Sequence, residues 1–282
     1  MLDLRQHLFY FIAIFLMLGV GMLVGASFYG PAQVRQQQTS LAHLRVQVDG
    51  AVQEGRDAKA LLAKNEAALD AARPALVHGI LSGRRIVLVQ TGDYADAVPQ
   101  AATALRDAGA TPAATVVLGG GWAALDTAAR AEALQSLSGI LASGASGPNR
   151  AGGLQTLEDR GLVVVTGSLE APCTMFVLVG GGHQDSGADD APQAALETAL
   201  AQQLQTDTGA AARLVGCEEY GADTSSMPAF QQSGISTVDC IDRPLGKLAL
   251  PFALLGGANA GDYGLKATAQ DQIPPLGKPS GP

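Results

Sequence analysis

Three residues carry soft donor atoms at places where a sheet could gather them. Cys217 and Cys240 each close a β-branched apolar run, and His183 follows a third such run across Gly180-Gly181-Gly182. Thiolate and imidazole both suit Cu(I). If the three runs are neighbouring strands, His183, Cys217 and Cys240 converge as a sparse Cu(I) site. Cys173-Thr174-Met175 adds a thiol and a thioether just before a strand. The competing reading makes the cysteines small core residues, since cysteine is among the most buried residue types. Two carboxylates are candidates for a ligand pocket. Asp93 follows the run Arg85–Thr91 and Asp242 follows Ile235–Cys240; Asp93 equally suits the cap of the helix after it.

Other chemistries lack their residues. Three Cys and no C-x-x-C pair exclude a disulfide framework and a zinc ribbon. Gly119-Gly120-Gly121 and Gly180-Gly181-Gly182 follow strands, but neither supplies G-x-G-x-x-G in its strand–helix setting, and neither holds the Lys-Ser/Thr of a P-loop. There is no G-x-S-x-G elbow and no H-E-x-x-H, and the four His are at positions 7, 43, 78 and 183. The expectation is therefore a protein that is not an enzyme and keeps no resident cofactor. A net charge of −8 and a pI near 4.9 argue against nucleic acid as a partner, because phosphate backbones need clustered Lys and Arg.

The elements that would position these residues alternate along the chain. Strands are expected at Arg85–Thr91, Ala114–Leu118, Leu162–Thr166, Thr174–Val179, Ala212–Cys217 and Ile235–Cys240. Helices are expected after the first strand to near Gly109, at Ala123–Leu141, at Pro192–Gln205 and at Gly246–Leu255, with Ser143–Gly153 as a Gly/Ser/Pro-rich loop. Continuous apolar strands separated by helices predict an α/β domain with a doubly wound, mostly parallel, Rossmann- or flavodoxin-like sheet. Ligand sites in such sheets lie beyond the carboxyl ends of the strands, where Asp93, His183 and Asp242 fall.

Two further segments precede that domain. Leu8–Tyr29 holds 22 residues without a charge; as a helix it spans roughly 33 Å, against about 30 Å for a hydrocarbon core. It reads as an uncleaved signal anchor, with cleavage after Ala26 as the alternative. The short N-terminal tail favours an N-in, C-out orientation, which puts the rest of the chain outside the cytoplasm. Gly21 and Gly25 form G-x-x-x-G, which either brings two spans together or reflects the ordinary frequency of Gly in such helices. Residues 34, 41, 48, 55, 62, 69 and 76 then repeat as Val, Leu, Val, Gly, Leu, Leu and Leu, with Gln37, Leu44, Ala51, Ala58, Asn65 and Ala72 three positions on. This heptad predicts a coiled-coil stalk that makes homo-oligomers, or else an amphipathic helix packed on its own domain. Pro74 is expected to end it or to start a second short helix through Ser82. The layout is thus a span over 1–30, a stalk over 31–73 and an extracytoplasmic domain over 74–282, the last with 11 Lys/Arg against 20 Asp/Glu.

The two ends of the chain resemble one family. Leu4-Arg5-Gln6-His7, then Phe15-Leu16, Gly21, Gly25 and Phe28, is similar to the opening of the mycobacterial copper transport protein B (MctB) family. Ile235–Asp239, Ile241-Asp242 and Gly261-Asp262-Tyr263-Gly264 resemble its C-terminal part. The resemblance implies a protein of the cell envelope, in families of this type assigned to the outer membrane. It implies a role in copper transport or efflux as a pore or channel component that limits intracellular copper, with copper as the transported species. The alternatives are an envelope scaffold with an oligomeric stalk and a small-ligand-binding or cryptic enzymatic α/β domain.

Overall fold

The computed structural model describes residues 4–94, 96–183, 190–209, 213–256 and 260–275. The chain divides into two compact units, Met1–Lys64 and Asn65–Pro282.

The first unit is helical. Helix α1, Leu4–Val77, runs through it and continues into the second unit. Its stretch Gln6–Gly25 has a mean hydropathy of 2.5 and is long and apolar enough to cross a membrane. The large apolar side chains from Leu8 to Val24 are 51–79% exposed. They cover the whole circumference of the helix, a pattern that water does not tolerate and a hydrocarbon core does. Farther along, Leu41, Leu44, Val48 and Leu62 of the heptad are 54–59% exposed. The side chains of the first two seam residues, Val34 and Gln37, lie outside the described residues.

Pro74 does not end the helix as expected. The helix runs on for three residues to Val77, although Pro74 has no N–H to give the Asp70 carbonyl. The neighbouring Arg73 is held from both sides, by Asp70 at 3.3 Å and by Asp107 of the next helix. After Val77 the chain turns through Gly79 and Gly83, both at positive φ, and the Leu81 N–H donates to the Ala108 carbonyl.

The second unit is an open, twisted sheet. Its strands are β1 (Arg85–Gln90), β2 (Thr111–Leu118), β3 (Val163–Gly167), β4 (Met175–Val179), β5 (Arg213–Cys217), β6 (Ser236–Val238) and β7 (Asp262–Tyr263), in the order β3-β2-β1-β4-β5-β6-β7. All pairs are parallel except β2 with edge strand β3. The mixed α/β, mostly parallel sheet expected from the strand pattern is therefore present. The expected strand start at Ala212 lies outside the described residues.

Successive strand residues serve opposite faces. Ile86, Leu88, Val177 and Val215 pack with α2 (Ala97–Asp107), α7 (Pro244–Leu255) and the end of α1. Val87, Val89, Phe176 and Leu178 pack with α3 (Thr127–Ser143), α4 (Pro148–Asp159), α5 (Asp190–Thr208) and α6 (Met227–Gln232). The loop expected over Ser143–Gly153 is shorter than its composition suggests. Gly144 and Gly147 make the turn at positive φ, Pro148 then occupies the first helical turn of α4, and Leu157 buries.

Arg73 is buried where α1 meets α2. Arg73→Ala would leave Asp107 without its cation and should lower stability by about 3 kcal/mol. The measurement is urea unfolding followed by Trp122, the single and buried Trp; an unshifted midpoint would show that the pair contributes nothing.

Candidate functional site at the carboxyl edge of the sheet

Strand order reverses between β1 and β4, so their carboxyl ends form the topological switch point where such folds place ligands. Here the two loops close on each other. The N–H groups of Thr91 and Gly92 donate to the Val179 carbonyl at 2.8 and 3.2 Å, and that of Asp93 donates to Gly181 at 3.2 Å. The Gly180 N–H donates to Cys217 and the Gly182 N–H to Thr224. The Gly181 N–H donates to Ser226 Oγ at 2.8 Å, and the His183 N–H to Asp93 Oδ1 at 3.0 Å. These seven amides are therefore all engaged internally. Glycine is required for so close an approach: a Cβ on Gly92 would lie 1.9 Å from the Gly181 carbonyl oxygen, and one on Gly180 would lie 2.4 Å from Ser226 Oγ.

Beneath the loops runs a buried polar chain. Thr91 Oγ1 and Ser226 Oγ both donate to Glu197 Oε1 at 2.7 Å. Ser225 Oγ and the Ser226 N–H donate to the two oxygens of Glu218, which also holds Lys266 Nζ at 2.5 Å. Asp239 accepts the N–H groups of Leu265 and Lys266 at 2.7 and 2.9 Å. Loops after β1, β5 and β6 are thereby joined to α5, α6 and the C-terminal segment. Burial pushes the Glu197 carboxyl up from its ordinary range, opposed by its bonds from Thr91 and Ser226. None of Glu197, Glu218, Ser226 and Lys266 was nominated by motif. The available signal was Lys266 as the one cation between residues 248 and 275.

Above the buried chain the edge presents side chains. His183 Nδ1 lies 3.0 Å from Asp93 Oδ1, and its ring stacks on Tyr94 with centroids 3.9 Å apart and planes at 17°. Asp93 thus binds the His183 loop and makes no cap on α2, whose N-cap Asp96 also makes no side-chain cap bond. Desolvation raises the Glu219 carboxyl, helped by Asp242 and Asp96 and opposed by His183. Asp242 accepts the Tyr220 N–H at 2.7 Å and pairs with Arg243 at 3.2 Å. Arg243 lies over the Tyr220 ring at 5.7 Å.

Of the five residues singled out from sequence, the fold brings Asp93 and His183 into contact and sets Asp242 beside Tyr220. Cys217 and Cys240 are fully buried. Cys217 packs among Val179, Val215 and Val238, and burial drives its thiol far above the ordinary range. The Cys240 thiol is pushed up to about 12, by burial and then by Asp239 and Asp242. Among the described residues no group of three His, Cys, Asp or Glu side chains is placed to hold a metal ion.

Comparison with known families bears on the same architecture. The family model described as "Copper transport outer membrane protein, MctB" matches residues 1–138 and 123–274, two stretches that together reach from the apolar helix through β7. The chain belongs to the MctB family. No curated protein matches it. Membership in MctB makes this a copper-transport-related envelope protein with one N-terminal apolar helix.

Two measurements test this geometry. Maleimide should leave Cys217 and Cys240 unlabelled in the folded, detergent-solubilised protein and label both after denaturation. Labelling at the rate of a free thiol would show that the strand ends open and expose the thiol pair. Because the native Glu197 carboxyl holds its proton more tightly than the unfolded one, its contribution to stability is full below the ordinary carboxylate range. It falls as pH rises from about 4 towards the raised native value. Glu197→Gln should flatten that part of the stability–pH curve; an unchanged slope would show that Glu197 does not cause it.

Proposed function

We propose that this protein acts in copper efflux, as the membrane-anchored part of an envelope assembly that keeps intracellular copper low. The family match is the observation that carries the reading. In it, Gln6–Gly25 is an uncleaved anchor, N-in and C-out, and the α/β unit stands outside the cytoplasm. One span cannot enclose a pore, so a conduit needs several copies of the chain or a partner channel.

The chemistry of the carboxyl edge agrees with a cationic cargo. Its backbone donors are engaged, which argues against a phosphate- or nucleotide-type ligand. The side chains at the surface include Asp93, Glu219 and Asp242 against the single guanidinium of Arg243, a carboxylate excess that attracts a cation, with the His183 imidazole beside Asp93. The reading is non-enzymatic: the hydroxyls of Ser225 and Ser226 are given to Glu218 and Glu197, and do not meet the Asp93–His183 pair. A Cu(I) set of His183, Cys217 and Cys240 belongs to this proposal only through a conformation that uncovers both thiols. The scaffold alternative gains support from the exposed apolar seam of α1.

Deleting the gene should raise cell-associated copper and lower copper tolerance, and the full-length protein should restore both. Unchanged copper content in the deletion strain would overturn the efflux role. Rescue by the span and stalk without the α/β unit would favour the scaffold.

A further inference from the structure

The heptad seam divides into two parts with different partners. From Glu66 onward the helix packs on the chain itself along its Leu69, Arg73 and Val77 side, while the seam residue Leu76 stays 54% exposed. Glu66 pairs with Arg243 at 3.2 Å, Leu69 packs against the core, and Arg73 holds Asp107. Before that point Leu41, Leu44, Val48 and Leu62 repeat at coiled-coil spacing and are more than half exposed. A stripe of this kind requires another apolar stripe.

We infer that residues 41–62 of α1 form a parallel, in-register, two-stranded coiled coil with a second copy of this chain. The inference rests on the anchored reading above in one respect: two copies inserted through the same N-terminal span run in the same direction. The charges fit that arrangement. With Leu41, Val48 and Leu62 at position a, Glu54 takes position g and Lys59 takes the following e. In a parallel pair Glu54 meets the partner's Lys59, and by symmetry the partner's Glu54 meets Lys59. The other g-to-e pairings are Ser40 with Arg45, Gln47 with Val52 and Leu61 with Glu66, none of like charge.

The seam also selects the number of strands. Val48 at a with Leu44 at d is the combination that favours two helices. Ala51 and Ala58 at d, with Gly55 at a, make a thin seam that two close helices fill and that three or four would leave hollow. Gly21 and Gly25 fall at positions b and f of the same frame, so the seam does not depend on the G-x-x-x-G of the span.

The test uses the full-length protein in its membrane. Leu44→Cys places a thiol at d, and Arg56→Cys places one at b as the control; both sites are exposed in the single chain, so both variants keep the fold. Mild oxidation with diamide should join Leu44→Cys chains at least five-fold faster than Arg56→Cys chains. In detergent, light scattering should read a protein mass of twice the 28.7 kDa of one chain. Glu54→Lys should lower cross-linking at Leu44→Cys at least three-fold, and adding Lys59→Glu should restore it. Equal cross-linking at positions 44 and 56, a mass of one chain, or a mass of three or more chains would overturn the inference. None of these readouts involves copper, so a protein that dimerises without affecting copper content refutes the efflux role alone.

Discussion

The closure of β1 against β4 is the constraint on which the α/β unit depends. Two glycine loops meet there with carbonyl oxygens where side chains would otherwise be, and each amide finds an acceptor inside the protein. The same contact fixes the position of His183, because Gly182 bonds to Thr224 and the His183 N–H bonds to Asp93. It also compels the polar chain beneath. Thr91 reaches Glu197 and Gly181 reaches Ser226 because their loops are held in place, and Glu197 and Ser226 share a hydrogen bond. In related doubly wound sheets this crevice is open and its amides face a ligand. In this chain the crevice is closed, and the edge presents side chains in place of free amides.

The architecture of the sheet bears on how an MctB-family chain meets a membrane. A lipid-spanning β-structure needs a closed barrel with one apolar and one polar side to each strand. The sheet described here is open, has β3 and β7 as edges, and is packed with helices on both faces. Its central strands are therefore apolar on both sides, as in a water-soluble parallel sheet. The apolar surface suited to lipid lies in Gln6–Gly25. The family's outer-membrane description thus cannot be traced to this sheet, and the helical segment is where the described structure can contact lipid.

How much of this was legible in the residues depended on how local the signal was. The central strands β1, β4 and β5 showed themselves as continuous apolar runs because both of their faces are buried. Edge strand β7 and helix α6 did not: two residues and six residues are too short for a period, and both are held by neighbours distant in sequence. Helix α4 was hidden by its own glycines, and Pro148 at its start was read as part of the loop. At the site, the rule that ligands gather beyond carboxyl strand ends led to Asp93, His183 and Asp242. It also led to Cys217 and Cys240, and there the strand period mattered more than the strand end. Cys217 keeps the same face as Val215, which points into the core. Glu197 was illegible because it sits mid-helix and becomes polar machinery only when α5 lies across the β1 loop.

The continuous helix α1 carries three environments on one element, and the order in which they occur is itself informative. Apolar residues surround it up to Gly25, occupy a stripe over 41–62, and then turn inward with Leu69 and Val77 against the core. Among the described residues, the last of these packs within the chain. The ion pairs of Glu66 and Arg73 hold the end of the helix, from Glu66 to Val77, on the α/β unit. Within the first unit the stripe over 41–62 already lies on a formed helix, so little backbone entropy remains to be lost when a partner arrives.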